Sequence, residues 1–198
     1  MVKKTSMETT FIKEELLFRQ LETAFENVVL EIARKEAVLV YAPKELVAPI
    51  LLYAKEKLGY KSFSHLSCVD WIENDEFELV YILWSPETKI NLFVKTRIER
   101  ENPIMENTDT IWRQINTYQR EIREMFGVEF PGFIGEKEFI LEDWEEIPPM
   151  RRDFDTLDYV SETFDERPGR EDKQDVRERI ANRSGEEIPD FAKKYSRE

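Results

Sequence analysis

The chain has one thiol, Cys68, and one imidazole, His65, three residues apart. A nucleophile and a base at that spacing would suggest covalent catalysis. The run that holds them, 62–72, reads as a β-strand, and strand positions i and i+3 point to opposite faces. They therefore read as a packed cysteine and a partly buried histidine. Asp70, Asp75 and Glu76 offer oxygen ligands for a hard cation. They flank a strand and a turn, and turn chemistry accounts for them better. The pairs Arg120-Glu121 and Arg123-Glu124 could act as acid and base. On the charged face of a helix such pairs are more often solvated or interfacial ion pairs. Trp71, Trp84, Trp112 and Trp144 read as core or interface material rather than as one pocket. The six glycines form no G-x-G-x-x-G phosphate loop.

These scarcities exclude more than they suggest. An iron–sulfur cluster needs about four thiolates, and structural zinc needs four Cys or His donors. The expectation is a chain without a redox cofactor of its own; carboxylate-only Mg or Ca sites stay open. A lone cysteine forms no intrachain disulfide, which fits a reducing compartment. The net charge of −13 repels nucleic-acid phosphates and anionic lipid. The apolar stretches 37–42 and 49–54 fall far short of the ~20 residues that span a membrane. Met1–Thr10 is polar and lacks the apolar region of a secretory signal. A soluble chain is expected, held at any membrane by other subunits. Low Cys and heavy Glu/Lys/Arg use resemble the bias of hyperthermophile proteins.

The elements that position these residues follow from periodicity. Glu8–Val28 reads as an amphipathic helix on Phe11, Ile12, Leu16, Phe18, Leu21, Phe25 and Val28. Val28–Ala33 and Ala37–Tyr41 read as a hairpin. Leu46, Val47, Ile50, Leu51, Ala54 and Leu58 mark a second helix that Gly59 ends. Its start is placed near Val47, because Pro49 is tolerated only in a first turn. Ser62–Ile72, Phe77–Trp84 and Lys89–Ile98 read as strands separated by turns at 73–76 and 85–88. The Phe77–Trp84 strand is apolar on both faces and is expected to be central and covered twice. The next strand sets Ile90, Leu92, Val94 and Ile98 against Asn91, Lys95 and Arg97, which predicts one wetter face. Thr108 or Asp109 is expected to cap a helix running to Phe126, closed by Gly127.

Beyond Val128 periodicity fades, yet Phe130, Phe133, Phe139, Ile140, Leu141 and Trp144 must be covered by something. From Arg151 the chain is densely charged with sparse apolar anchors, too polar for a core of its own. The expected organisation is an α+β core domain over 1–130, a mixed sheet flanked by helices. An irregular segment at 131–155 packs on core and partner, and 156–198 is a charged extension lying along a partner.

Several motifs in order carry a resemblance. They are Leu66-Ser67-Cys68-Val69-Asp70-Trp71 and Phe77-Glu78-Leu79-Val80-Tyr81, then Tyr118-Gln119-Arg120-Glu121-Ile122-Arg123-Glu124-Met125-Phe126-Gly127. Leu141-Glu142-Asp143-Trp144 and Pro149-Met150-Arg151-Arg152-Asp153-Phe154 follow. Over roughly Glu8–Asp155 the chain resembles the C-type subunit of NADH-quinone oxidoreductase, a small hydrophilic component of complex I. It is equally similar to the homologue in membrane-bound energy-converting NiFe hydrogenases and archaeal sulfane-sulfur reductases. Gln119 stands where the family has an acidic residue. Gly132–Glu138 lacks the His and paired Arg of the respiratory members, which tilts the resemblance toward the hydrogenase-like branch.

The resemblance implies a non-catalytic subunit packed against the large hydrogenase-like subunit, on the cytoplasmic face of the membrane and beside small Fe–S subunits. Fe–S clusters and any NiFe centre would belong to those partners. Arg120, Glu121, Glu124, Phe126, Trp144, Arg151, Arg152 and Phe154 are the expected interface residues, with Arg151 and Arg152 engaging acidic groups on the partner. The alternatives are a stand-alone carboxylate or metal-dependent hydrolase, a respiratory NADH–quinone subunit, and a free binding module.

Overall fold

Inward-facing apolar residues recur at every second position of the strands and at helical spacing elsewhere, and one core gathers both sets. The computed structural model describes residues 11–132 and 138–163. The chain divides into two units, Met1–Phe154 and Asp155–Glu198. In the first, five strands are ordered β1-β2-β5-β4-β3. They are β1 (Val29–Arg34), β2 (Ala37–Tyr41), β3 (Ser62–Trp71), β4 (Glu76–Trp84) and β5 (Asn91–Glu99). β2 and β5 run parallel and the other neighbours antiparallel, so the sheet is mixed, as expected. Helix α1 (Ile12–Ala24) packs on β1 and β2, α2 (Lys44–Glu56) on β5, and α3 (Ile115–Phe126) on β3.

The core joins Leu17 and Leu21, Val47, Ile50 and Leu51, and Ile115, Ile122 and Phe126 to the inward row Phe77, Leu79, Tyr81 and Leu83 of β4. Opposite that row stand Ile98, Thr96, Val94 and Leu92 of β5. Val80 and Ala37 are buried but lie outside this core. β4 is thus interior in the sheet, yet a helix layer covers only one of its faces. On the other face Glu78 binds Lys95 at 2.9 Å, Arg97 lies over Trp71, and Trp84 remains 39% exposed. Ion pairs and cations over aromatic rings stand there, where the sequence suggested a second layer.

The boundaries differ from expectation in three places, each for a local reason. α1 ends at Ala24 rather than Val28, because Phe25 is extended and Asn27 takes the left-handed φ of 62°. α2 begins at Lys44, not near Val47. Pro43 precedes it, and Pro49 sits inside it at the cost of one helical hydrogen bond. α3 begins at Ile115, not after Thr108. The Asn107 side chain accepts the Asp109 N–H at 2.9 Å and holds 107–114 in turns. Trp112 still reaches the core and donates to the Lys61 carbonyl at 3.1 Å.

In the second unit, α4 (Thr156–Thr163) starts at Asp155, whose carboxylate accepts the Leu157 and Asp158 N–H groups at 2.9 and 3.1 Å. The greater part of the expected 156–198 extension lies outside the described residues.

Candidate functional site

Alternation in β3 and β5 places Asp70 and Arg100 where neighbouring inward positions are apolar, so each needs a partner. They find each other. Arg100 donates to both Asp70 oxygens at 2.9 and 3.2 Å, with side chains only 9% and 2% exposed. The Arg100 and Arg151 guanidinium groups both lie over the Phe77 ring. Arg100 also binds Asp153 at 2.7 Å, and Arg151 binds Asp153 through two bonds. The Arg152 N–H donates to Asp70 at 2.8 Å, and its side chain reaches Glu73 at 2.7 Å. Burial alone would raise the Asp153 carboxyl; Arg151 and Arg100 outweigh it and hold it at about 2. Asp70 is likewise lowered, because hydrogen bonds from Arg100 and the Arg152 backbone exceed its desolvation.

A second anchor stands on α3. The Glu124 carboxylate accepts the N–H groups of Phe139, Ile140 and Leu141, the last two at 2.8 Å. Burial would raise its pKa, but these three donors lower it. Arg120 donates to the Glu138 carbonyl at 2.7 Å and lies over the Phe139 ring. Between the anchors, Met150 N–H donates to the Met125 carbonyl at 3.0 Å. Pro148 packs against Gly127, where an added Cβ would lie 3.2 Å from its ring. Trp144 meets Phe154 with ring centroids 5.6 Å apart. Residues 138–154 thus form a strap fastened along α3 and across the end of the sheet at the β3–β4 turn.

The eight expected interface residues divide as follows. Arg120, Glu124, Trp144, Arg151, Arg152 and Phe154 build or fasten the strap. Phe126 is a core residue, edge-on to Phe77 at 6.0 Å, and Glu121 is half-buried. Among the described residues, the Arg151 and Arg152 side chains pair with Asp153 and Glu73 of this same chain. Sequence reasoning passed over Arg100 and Glu138. Arg100 was visible as a charge continuing the inward register of Val94, Thr96 and Ile98; Glu138 receives Arg120 through its carbonyl, which no side-chain pattern signals, and its carboxylate accepts the Asp143 N–H at 3.3 Å.

His65 pairs with Ile82 and Cys68 with Leu79, three positions apart in β4, so the two face opposite ways. The Cys68 thiol is pushed up first by burial and then by Asp70. Among the described residues no three His, Cys, Asp or Glu side chains gather to hold a metal ion, and nothing there supports the hydrolase alternative. Gln119 is fully buried, and its amide finds no hydrogen-bond partner among the described residues. The branch-distinguishing stretch Gly132–Glu138 lies almost wholly outside the described residues.

The fold recurs in known proteins. One chain of an archaeal membrane-bound sulfane sulfur reductase, a respiratory membrane complex, superposes with a TM-score of 0.68. The sequences are 30% identical, covering 82% of this chain and 99% of that one. The family described as the 30 kDa subunit of respiratory-chain NADH dehydrogenase matches residues 40–160, and the chain belongs to it. The C-type subunit of NADH-quinone oxidoreductase from Moorella thermoacetica is 30% identical over 112 residues, 57% of this chain and 76% of its own. The C-type subunit of F(420)H(2) dehydrogenase from Methanosarcina mazei is 28% identical, over 58% and 73% of the two chains. A fused C/D-type polypeptide of NADH-quinone oxidoreductase from Hydrogenobaculum is 34% identical, over 61% of this chain and 21% of that longer one.

Proposed function

We propose that this chain is a peripheral, cofactor-free subunit of a membrane-bound, complex I-related oxidoreductase, docking through the strap onto a large hydrogenase-like subunit. The strap's surface carries the reading. Ile140, Ile147 and Met150 are 68%, 44% and 58% exposed on irregular backbone that Glu124, Met125 and Asp70 hold in place. Pre-ordered apolar groups beside charged ones make a surface suited to a partner at little entropic cost. The C/D-type relatives join two subunits in one polypeptide, which supports direct contact between a C-type and a D-type chain. Likeness to the sulfane sulfur reductase chain favours the hydrogenase-like branch. No helix among the described residues is long and apolar enough to cross a membrane. Attachment at the cytoplasmic face then runs through partners, and electrons pass through their Fe–S and NiFe centres.

A second reading, the respiratory NADH–quinone version, is favoured by the likeness to the Moorella protein. Affinity purification of the tagged chain from detergent-solubilised membranes tests both. The expected companions are a large hydrogenase-like subunit and small Fe–S subunits; an NADH-binding companion would favour the second reading. Recovery of the chain alone, or a stoichiometric cluster in the isolated chain, would overturn the proposal.

A further inference from the structure

The middle of the strap carries the carboxylates Glu142, Asp143, Glu145 and Glu146, all exposed. Among the described residues none of the four takes an ion pair or a side-chain hydrogen bond. The strap's own cations do not neutralise them, because Arg151 binds Asp153 and Arg152 binds Glu73. Arg120 of α3 donates to the Glu138 carbonyl and lies over the Phe139 ring. The backbone beneath these charges is tied down. The Asp143 N–H donates to the Glu138 carboxylate at 3.3 Å, and the Trp144 indole N–H donates to the Ile147 carbonyl at 3.1 Å. Ile140 and Ile147 bracket the four carboxylates in the chain and are 68% and 44% exposed. Like charges this close repel one another, and folding supplies them no counter-charge. No three of them converge on a point where a metal ion could sit, so a broad surface has to meet them.

We infer that the strap docks on a basic face of a partner subunit, whose Lys and Arg side chains meet Glu142, Asp143, Glu145 and Glu146 around apolar ground that covers Ile140 and Ile147. The inference rests on the reading of the strap as a docking surface and adds the sign of what it docks on. A neutral apolar face would take water from the carboxylates and return no partner. An acidic face would set like charges against each other. Nucleic acid and anionic lipid are repelled by the same four groups. At exposed positions a single ion pair adds little affinity. The charges act instead on encounter, where complementary fields steer two proteins together and fade with salt. The sign of the partner therefore shows in the association rate more than in dissociation.

The test uses the full chain and its membrane complex. Complex solubilised from cells lacking this chain is mixed with the labelled, purified chain, and rebinding is followed by stopped flow. Raising NaCl from about 50 mM to about 500 mM is expected to slow association at least about tenfold, with dissociation nearly unchanged. Neutralising the four together, as Glu142→Gln, Asp143→Asn, Glu145→Gln and Glu146→Gln, should slow association at low salt by a similar factor and flatten its salt dependence. The control neutralises four exposed carboxylates of the helix layer, as Glu15→Gln, Glu22→Gln, Glu26→Gln and Glu56→Gln. It changes net charge equally and should leave both rates as they were. Association indifferent to salt, full salt dependence in the strap variant, or an equal loss in the control would each overturn the inference. If Glu124→Ala slows association and the strap neutralisation does not, the basic partner face is refuted and the docking reading stands. If neither slows it, both fail.

Discussion

Asp70 and Arg100 show how one buried charge dictates another. Each is out of water, and each is tolerated because the other supplies opposite charge in a two-bond geometry. Removing one leaves the other stranded, so Asp70→Asn should cost about 3 kcal/mol in urea unfolding, with Asp153 limiting the loss. The carboxylates Asp70, Asp153 and Glu124 are all held below their ordinary values. Their contribution is therefore fully present above the unfolded carboxylate range of about pH 4. It is lost as pH falls toward the folded value of about 2 at Asp153. Acid titration followed by amide exchange should show the strap loosening in that window before the sheet; simultaneous loss would argue against this order. Gln119 gives the opposite case, a buried amide with no partner among the described residues. Gln119→Met should raise stability by about 1 kcal/mol in the same unfolding assay.

At the scale of elements, Glu124 and Gly127 decide how the strap sits on α3. Glu124→Ala removes three hydrogen bonds and should cost about 2 kcal/mol, with faster exchange confined to the amides of Phe139, Ile140 and Leu141. Gly127 has a φ of 81°, and an added Cβ would press on the Pro148 ring at 3.2 Å. Gly127→Ala should therefore cost about 1–2 kcal/mol and lower Tm. The strands were legible from alternation, and the end of α3 from Gly127. The start of α3 was not, because an Asn107 side-chain bond competes with helix and periodicity does not register it. The strap was legible only as apolar residues in need of cover. Its fastening uses backbone N–H and carbonyl groups, which nearly every position of any sequence has. The role of Lys95 and Arg97 on the outer face of the sheet escaped for a related reason: charge in a sequence signals a wet face, whereas these cations lie over the Tyr41 and Trp71 rings and pair with Glu78.

For the whole molecule, a net charge of −13 and an ordered apolar strap define what a partner must offer. It must cover Ile140, Ile147 and Met150 and tolerate or complement an acidic neighbour. Truncation after Met150 removes Arg151, Arg152 and Asp153 and should weaken assembly, visible as lost co-purification at unchanged expression. Hydrogen–deuterium exchange of the free chain against the same chain in its membrane complex addresses the account most directly. Added protection concentrated at 138–154 on assembly is the predicted result. Identical exchange there in the two states would contradict it.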